Sequence, residues 1–349
     1  MIDFSMDKAK GTPALWLRVL GKIAHLLKLE SASNRLLPKR YKSYYSKALY
    51  PEIESSDGII FAGGSFKYGT QDLWARYSAI VDYANKHHIP VMFDAMNVQK
   101  YDATDFKCRY LKEHLNRECV RYFTSRDGEP GVKRLELDYA ENNTGLKILP
   151  AADPAFWIPE TYHVKRNKNA DMIGINVIAP DRFRVYGGTL QPSDIKAAYL
   201  IMLDRLTEHG FSWQLFTNGM QDDNVFAFEL SKHYNLTEQR IHIPKSDTEL
   251  VNMEANYRAI FGARLHSMIC AYSLGVPVAG FIWDEKIIHF AEMARLKELF
   301  LEESTVTGDA MFEVLMKALQ REDDAENRNY WKNTTKNTIY EFLSSIERV

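Results

Sequence analysis

The residues best suited to chemistry are an arginine and a histidine, Arg264 and His266, one residue apart in the segment AIFGARLHSMICAYSLG. The apolar residues before them predict a buried strand that ends near Gly262, and those after them predict a helix from about Leu265 to Gly275. The first N–H groups of a helix have no partner within it, and the helix dipole gives that end a partial positive charge. The segment therefore predicts an anion-binding site at the start of the helix.

The two side chains suit such a site. The guanidinium of Arg264 can bind a carboxylate or phosphate through two N–H groups at once. The imidazole of His266 titrates near neutrality and can deliver a proton. Together they favour an anionic substrate that undergoes an acid-catalysed step. A purely structural role is the alternative, in which Arg264 pairs with an acid and His266 donates to a carbonyl, and the spacing alone leaves both open.

Polar residues also follow other predicted strands. Asn176 and Arg182 lie at and beyond the end of the strand in IGINV, Arg126 ends the strand CVRYFTSR, and Lys286 follows the strand VAGFIW. Ligands of open α/β sheets bind beyond the carboxyl ends of the strands, so each of these residues could line a binding site. Each could equally be an ordinary surface group. Lys286 is the best placed, because its strand is expected to neighbour that of Arg264.

A glycine turn, Gly63-Gly64-Ser65, follows the predicted strand GIIFA. Its spacing differs from the dinucleotide fingerprint GxGxxG, so it either lets a ligand approach the backbone or forms a tight turn before a helix. The acidic pair Asp222-Asp223 stands at a helix start, where N-capping is the usual role. No group of His, Cys and Asp has metal-ligand spacing, and we expect neither a metal nor a cofactor.

From about residue 57, segments typical of strands alternate with segments typical of helices. This alternation predicts βαβ units, and hence mostly parallel sheets covered by helices. A polar, basic stretch at 160–171 separates two such arrays. We therefore expect an α/β protein with two doubly wound, Rossmann-like domains that face each other across a cleft. The predicted parts are a basic amphipathic N-terminal segment, a first domain, a second domain, and C-terminal helices that could pack back on the first domain, at 1–48, 49–160, 161–304 and 305–349.

Composition narrows the class of protein. The chain has 349 residues, 46% of them hydrophobic, and a formal net charge of −2. This length and apolar content allow two hydrophobic cores, and the near-neutral charge argues against nucleic acid as a partner. The three cysteines, Cys108, Cys119 and Cys270, include no CxxC pair, which indicates a reducing, cytoplasmic location. The sequence does not specify an oligomeric state.

The N-terminal segment differs from the rest of the chain in charge. Residues 1–48 hold ten Lys and Arg against three acidic residues, a net charge of +7. Within them, 16–29 predicts a basic amphipathic helix that is too short and too charged to span a bilayer and lacks the features of a signal peptide. Such a helix can lie on an anionic membrane surface, which predicts peripheral contact with the inner face of the cytoplasmic membrane. The alternative is a docking helix with a solvated basic face.

The segment GARLHSMICAYSLGVPVAGFIWDEK resembles the signature of the polysaccharide pyruvyl transferase family: R-x-H after a strand, an apolar helix, G-x-P, a second strand, an aromatic residue and a lysine. Shorter similarities occur in order over 57–295, in DGIIFAGGS, RYFTSRDGEP, AADPAF and IGINV. The chain departs from the family in lacking its N-terminal Gly/Asn-rich turn. It also has Trp283 where tyrosine is more frequent.

The resemblance implies a GT-B-type fold and transfer of a pyruvyl group. The donor would be phosphoenolpyruvate, and the acceptor a sugar, often lipid-linked, in a bacterial surface polysaccharide precursor. The product would be a pyruvate ketal on two hydroxyls, with release of phosphate. His266 would be the general acid, and the glycine turn would lie on the acceptor side. The donor would be bound by Arg264, Leu265, Lys286, Arg126, Arg182 and Asn176. Two alternatives stay open: a GT-B glycosyltransferase that uses a nucleotide sugar, and a non-catalytic protein that binds sugars or anions.

Overall fold

The computed structural model describes residues 30–69, 72–141, 145–185, 188–234 and 240–346. The predicted amphipathic helix at 16–29 lies outside these residues. The described chain forms two compact units, one up to Ala152 together with the residues from Thr334 onward, and one from Asp153 to Asn333. No helix within the described ranges is both long enough and apolar enough to cross a membrane.

The first unit contains a parallel sheet in which β1, β3, β4 and β5 are neighbours in that order, and β2 pairs with the end of β3. Its strands are β1 (Ile59–Ala62), β2 (Ser65–Phe66), β3 (Val91–Val98), β4 (Val120–Ser125) and β5 (Lys147–Pro150). Its helices are α1 (Glu30–Ala48), α2 (Tyr50–Glu54), α3 (Leu73–Lys86), α4 (Phe106–Leu115) and α5 (Gly128–Arg134), the last continued by a π turn at Leu135–Tyr139.

Burial of β3 on both faces organises this unit. All eight of its residues are buried, as expected for the interior strand of a parallel sheet covered on two sides. On one face Phe93 stacks on Phe61 and Phe123. On the other face Met92 packs with Tyr122 and with a phenylalanine of the C-terminal helix.

The second unit contains a six-stranded parallel sheet in the order β8-β7-β6-β9-β10-β11. This is the doubly wound order, in which the direction of winding reverses between the first and fourth strands of the unit, β6 and β9. Its strands are β6 (Ile173–Asn176), β7 (Trp213–Phe216), β8 (Ile241–His242), β9 (Ala259–Gly262), β10 (Val278–Phe281) and β11 (Phe300–Leu301).

The helices of the second unit precede, connect or follow these strands. They are α6 (Ile158–Thr161), α7 (Asp181–Val185), α8 (Pro192–Glu208), α9 (Gln221–His233), α10 (Asp247–Ala255), α11 (Leu265–Leu274), α12 (Glu285–Met293), α13 (Gly308–Gln320) and α14 (Ala325–Ile346). Single 3-10 turns occur at Pro154–Trp157, Lys297–Leu299 and Glu303–Thr305. The residues of α14 from Thr334 onward belong to the first unit.

Two glycines set the position of α11. A Cβ on Gly262, the last residue of β9, would lie 2.2 Å from Cγ of Met268, so glycine is required for the helix to pack this closely on the strand. At the other end Gly275 takes a left-handed conformation with φ 74°, which ends the helix. The predicted limits of this strand and helix are confirmed.

Candidate active site

The candidate site lies at the switch point of the second sheet. Asn176 is the last residue of β6, and Arg264 is the N-cap of α11, directly after β9. The two strands are hydrogen-bonded neighbours, from Ile173 opposite Ala259 onward. Carboxyl ends of strands at such a reversal are where open α/β sheets bind ligands.

Asn176 holds the turn between β9 and α11. Its side chain is fully buried, and its Oδ1 accepts hydrogen bonds from the N–H of Arg264 at 2.8 Å and of Ala263 at 3.3 Å. Its Nδ2 donates to Oδ1 of Asn218 at 2.8 Å. The amide therefore fixes the backbone at Arg264, and its part in donor binding would be indirect.

Arg264 is held by a buried acid, Asp223 of α9. Its Nε and Nη2 donate to the two oxygens of Asp223 at 2.8 and 2.7 Å. The Asp223 side chain is fully buried and that of Arg264 is 19% exposed. Asp223 also accepts the N–H of Ala179, in the loop after β6, at 2.9 Å. One edge of the guanidinium is thus fixed by Asp223, and the edge that carries Nη1 donates no hydrogen bond to any described residue, which leaves it for a ligand.

The start of α11 presents the rest of the motif. The helix begins without a side-chain cap, so the first turn ends in backbone N–H groups and the positive end of the helix dipole. Leu265 is half-buried, His266 is exposed, and Ser267 is buried. Of the three, His266 is thus the exposed residue, and it follows the half-buried Arg264 by two positions.

The loop after β10 lies against the same turn. Trp283 donates its indole N–H to the carbonyl of Ala263 at 2.6 Å, which joins the two loops. Lys286 lies in the first turn of α12, where its Nζ is 3.3 Å from Oδ2 of Asp284, the N-cap residue. It was not predicted from the sequence that Asp284 partly neutralises the charge of Lys286.

Arg182 lies close by, in α7. It forms a single contact of 2.7 Å with Asp222, and 33% and 63% of the two side chains are exposed. Its backbone N–H is bonded to Ala179, the residue whose own N–H binds Asp223. The structure thus brings Arg182 to the loop that supports Arg264, where its charge is paired with the exposed carboxylate of Asp222.

The remaining predicted residues belong to the first unit. Gly63 and Gly64 have φ of 66° and 107°, a left-handed turn between β1 and β2, and Ser65 starts β2. A Cβ on Gly64 would lie 3.5 Å from the hydroxyl of Tyr77. Burial raises the pKa of Tyr77 to about 12 against the opposing charges of two arginines, one of them Arg126. Arg126 is therefore grouped with the glycine turn, whereas the other candidate donor residues lie in the second unit.

Sequence reasoning missed two carboxyl groups near these sites. Asp223 was expected to cap a helix, but α9 has no side-chain cap, and its carboxylate binds Arg264 instead. Asp94, in β3, is 4% exposed, accepts a hydrogen bond from Thr124 at 2.7 Å, and has its pKa raised to about 6 by burial. An aspartate inside the apolar run VMFDAMNV was a signal that could have identified it. Among the described residues, no group of His, Cys, Asp and Glu is arranged to hold a metal ion.

Comparison with solved structures bears on the fold alone. The UDP-GlcNAc 2-epimerase from Neisseria meningitidis, bound to UDP-GlcNAc, is 13% identical, with 90% of this chain and 82% of that chain covered and a TM-score of 0.55. The UDP-GlcNAc 2-epimerase from Methanocaldococcus jannaschii is 11% identical over the same shares, with a TM-score of 0.56. These are GT-B proteins, and the predicted fold class, α/β with parallel sheets in two domains, is confirmed.

Comparison of the sequence identifies the family. No curated protein matches the chain significantly. The model of one protein family, polysaccharide pyruvyl transferase, matches residues 21–285, which include β6, β9 and the whole of α11. Because this match spans most of the chain, the protein belongs to the polysaccharide pyruvyl transferase family.

Proposed function

We propose that this protein transfers a pyruvyl group from phosphoenolpyruvate to two hydroxyls of one sugar in a bacterial surface polysaccharide precursor. The observation that carries the proposal is that Arg264 and His266 both stand at the start of α11, at the switch point of the second sheet. Asp223 fixes one edge of the guanidinium and leaves the other for an anion. His266 is exposed in the first turn of the adjacent helix.

Phosphoenolpyruvate suits this site by charge. Its carboxylate and phosphate would meet the Nη1 edge of Arg264 and the positive end of α11. Lys286, at the start of α12, would add a further positive charge that Asp284 partly neutralises. Arg182 would act at longer range, since its ion pair is exposed. Arg126, which is grouped with the glycine turn in the first unit, is the remaining proposed donor residue.

The chemistry requires a proton before it requires a nucleophile. Protonated His266 would give its proton to the methylene carbon of phosphoenolpyruvate, which leaves positive charge on the adjacent carbon. A sugar hydroxyl would bond to that carbon and lose its proton. The carbon–oxygen bond to phosphate would then break with its electrons on phosphate, and a second hydroxyl would close the ketal. Of the two protons released, one restores His266 and one leaves with phosphate or solvent.

Two physical effects would lower the barrier. A positioned general acid typically contributes roughly 10²–10⁴-fold, and the enol ester carbon is a weak base that needs one. Fixed donors aimed at the departing phosphate would stabilise its charge without reorganising during the reaction. The hydrogen bonds that Arg264 donates to Asp223 provide that fixation.

The acceptor would lie by the turn Gly63-Gly64-Ser65, where Gly64 is exposed and has no side chain to keep a ligand from the backbone. A lipid-linked acceptor would place the reaction at the inner face of the cytoplasmic membrane. Residues 16–29 would then contact the anionic surface as a basic amphipathic helix. Binding to anionic vesicles by the full chain, lost on deletion of 16–29, is the expected result. Equal binding by both proteins would contradict this membrane role.

The function is tested by incubating the enzyme in D₂O with phosphoenolpyruvate and a panel of sugar acceptors. We expect release of inorganic phosphate with one acceptor class, and a ketal whose methyl group carries one deuterium. The variant His266→Gln should release little phosphate. The matched control is His233→Gln, an exposed histidine at the carboxyl end of α9, which should behave as wild type. Turnover of a nucleotide sugar, or binding of phosphoenolpyruvate without phosphate release under any condition, would contradict the proposal.

A further inference from the structure

A buried glutamate lies beneath the first turn of α11. Glu254, in α10, is fully buried, and its Oε1 accepts a hydrogen bond from the hydroxyl of Ser267 at 2.7 Å. Ser267 is itself fully buried and directly follows His266 in the chain. The glutamate thus binds the same helical turn that presents the candidate catalytic pair.

The second oxygen of this carboxyl group, Oε2, indicates that Glu254 is uncharged. Oε2 of Glu254 is buried and has no hydrogen-bond partner. An ionised carboxylate with an unpaired oxygen inside the protein would be strongly disfavoured. Burial raises the pKa of Glu254 to about 8, and the Ser267 hydroxyl and the nearby Cys270 thiol only partly oppose this shift.

The surroundings of Glu254 contain no compensating cation in the part of the chain that the structure describes. The titratable groups that its charge affects are the Cys270 thiol of α11 and the Tyr257 hydroxyl, just beyond α10. Burial, and secondly the proximity of Glu254, raises the pKa of both groups. The whole cluster is therefore neutral at pH 7 and has no charge with which to hold an ionised Glu254.

We propose that Glu254, held uncharged under α11, is a positioning residue that sets the first turn of the helix, and with it Arg264 and His266. The inference rests on the proposed function for its catalytic consequence. Neutral Glu254 bonds to Ser267 and keeps the turn in place. When it loses its proton, the new charge has no partner, and the contact between α10 and α11 rearranges.

Substitutions can distinguish loss of the hydrogen bond to Ser267 from loss of buried side-chain volume. Glu254→Gln keeps the shape, the neutrality and an acceptor for Ser267, and should keep wild-type kcat at pH 7. Glu254→Ala leaves the Ser267 hydroxyl unpaired, and kcat should fall roughly tenfold or more, because small displacements of catalytic groups are costly. Met253→Ala is the matched control, since it removes buried bulk from the same helix and leaves the Glu254–Ser267 bond intact. It should lower stability and preserve kcat.

The pH profile gives a readout that mere stability would not move. In both wild type and Glu254→Gln, kcat should fall as His266, the proposed general acid, loses its proton. In the wild type a further decline past about pH 8 should follow, and this further decline should be absent in Glu254→Gln. The free energy of unfolding should also decrease as pH rises. The folded state keeps a proton that the unfolded state loses near pH 4.5, so Glu254 lowers wild-type stability between about pH 4.5 and 8. The Gln variant lacks this contribution and should lose less stability over that range.

A measurement independent of turnover completes the test. Hydrogen exchange of the backbone amides of residues 268–271, which donate to the carbonyls of the first turn, should be faster in Glu254→Ala than in wild type, and unchanged in Glu254→Gln and Met253→Ala. Equal exchange and equal kcat in all variants would overturn the inference, even if the wild type releases phosphate from phosphoenolpyruvate. If the wild type releases none, the proposed function fails, and the exchange pattern still decides whether Glu254 sets the turn.

Discussion

Replacing Asp223 with asparagine removes the charge that holds Arg264 in place. The carboxylate is fully buried and accepts three hydrogen bonds, two from the guanidinium and one from the N–H of Ala179. Asparagine has the same shape but only one acceptor oxygen, so at least one of these bonds is lost. The guanidinium is then left partly buried without a counter-ion.

The magnitude follows from the burial of the two partners. Removing one member of a buried ion pair costs about 3–5 kcal/mol. Water reaches part of Arg264, whose side chain is 19% exposed, and asparagine keeps one acceptor, so both effects reduce the loss. We expect Asp223→Asn to lower the free energy of unfolding by about 2–3 kcal/mol.

The assay is urea unfolding of wild type, Asp223→Asn, Arg264→Gln and the double variant. The cycle should give a coupling energy of about 2 kcal/mol between the two residues. The adjacent acid provides the control: Asp222 pairs with Arg182 but is 63% exposed, so Asp222→Asn should cost less than about 1 kcal/mol. Equal losses for both variants, or a coupling energy near zero, would refute the argument that burial makes the Asp223 pair strong.

Three further outcomes follow from the structure. Asp94→Asn should not change the free energy of unfolding at pH 3, but should raise it by about 3 kcal/mol at pH 7. The reason is that the folded pKa of Asp94, about 6, exceeds the ordinary 3.8, so wild-type stability falls as pH rises between these values. A pH-independent effect in urea unfolding would argue against this. Gly275→Ala should lower stability by about 1–2 kcal/mol, because φ is 74° there and the new Cβ would lie 3.1 Å from Asp323, and unchanged unfolding would contradict that strain. Lys286→Met should raise the KM for phosphoenolpyruvate several-fold with a smaller effect on kcat, and an unchanged KM would exclude it from the donor site.

The sequence predicted well where local pattern and burial coincide. The second sheet was predictable because its interior strands are short, apolar runs separated by helices with clear ends. The limits of α11 were predictable because Gly262 and Gly275 meet requirements of close packing and left-handed backbone that few other residues can meet. The Arg-x-His spacing located the candidate site because a helix start directly after a strand fixes where such residues stand.

The hydrogen-bond partners of these site residues could not be predicted from the sequence. Asp223 precedes Arg264 by 41 positions, and only the sheet order places α9 beside the turn after β9. The same holds for Glu254, which lies 13 positions before Ser267 and whose burial depends on the packing of α10 on α11. The structural interpretation of Arg264 holds for one edge of its guanidinium, which pairs with Asp223, and donor binding by the other edge stays a prediction.

The central claim is that Arg264 and the start of α11 hold the donor while His266 supplies the proton. The most direct measurement pairs equilibrium binding of phosphoenolpyruvate with single-turnover phosphate release in His266→Gln. The account predicts a dissociation constant within a few-fold of wild type, and a rate of phosphate release lower by roughly 10²-fold or more. Loss of binding together with an unchanged rate at saturating donor would contradict it.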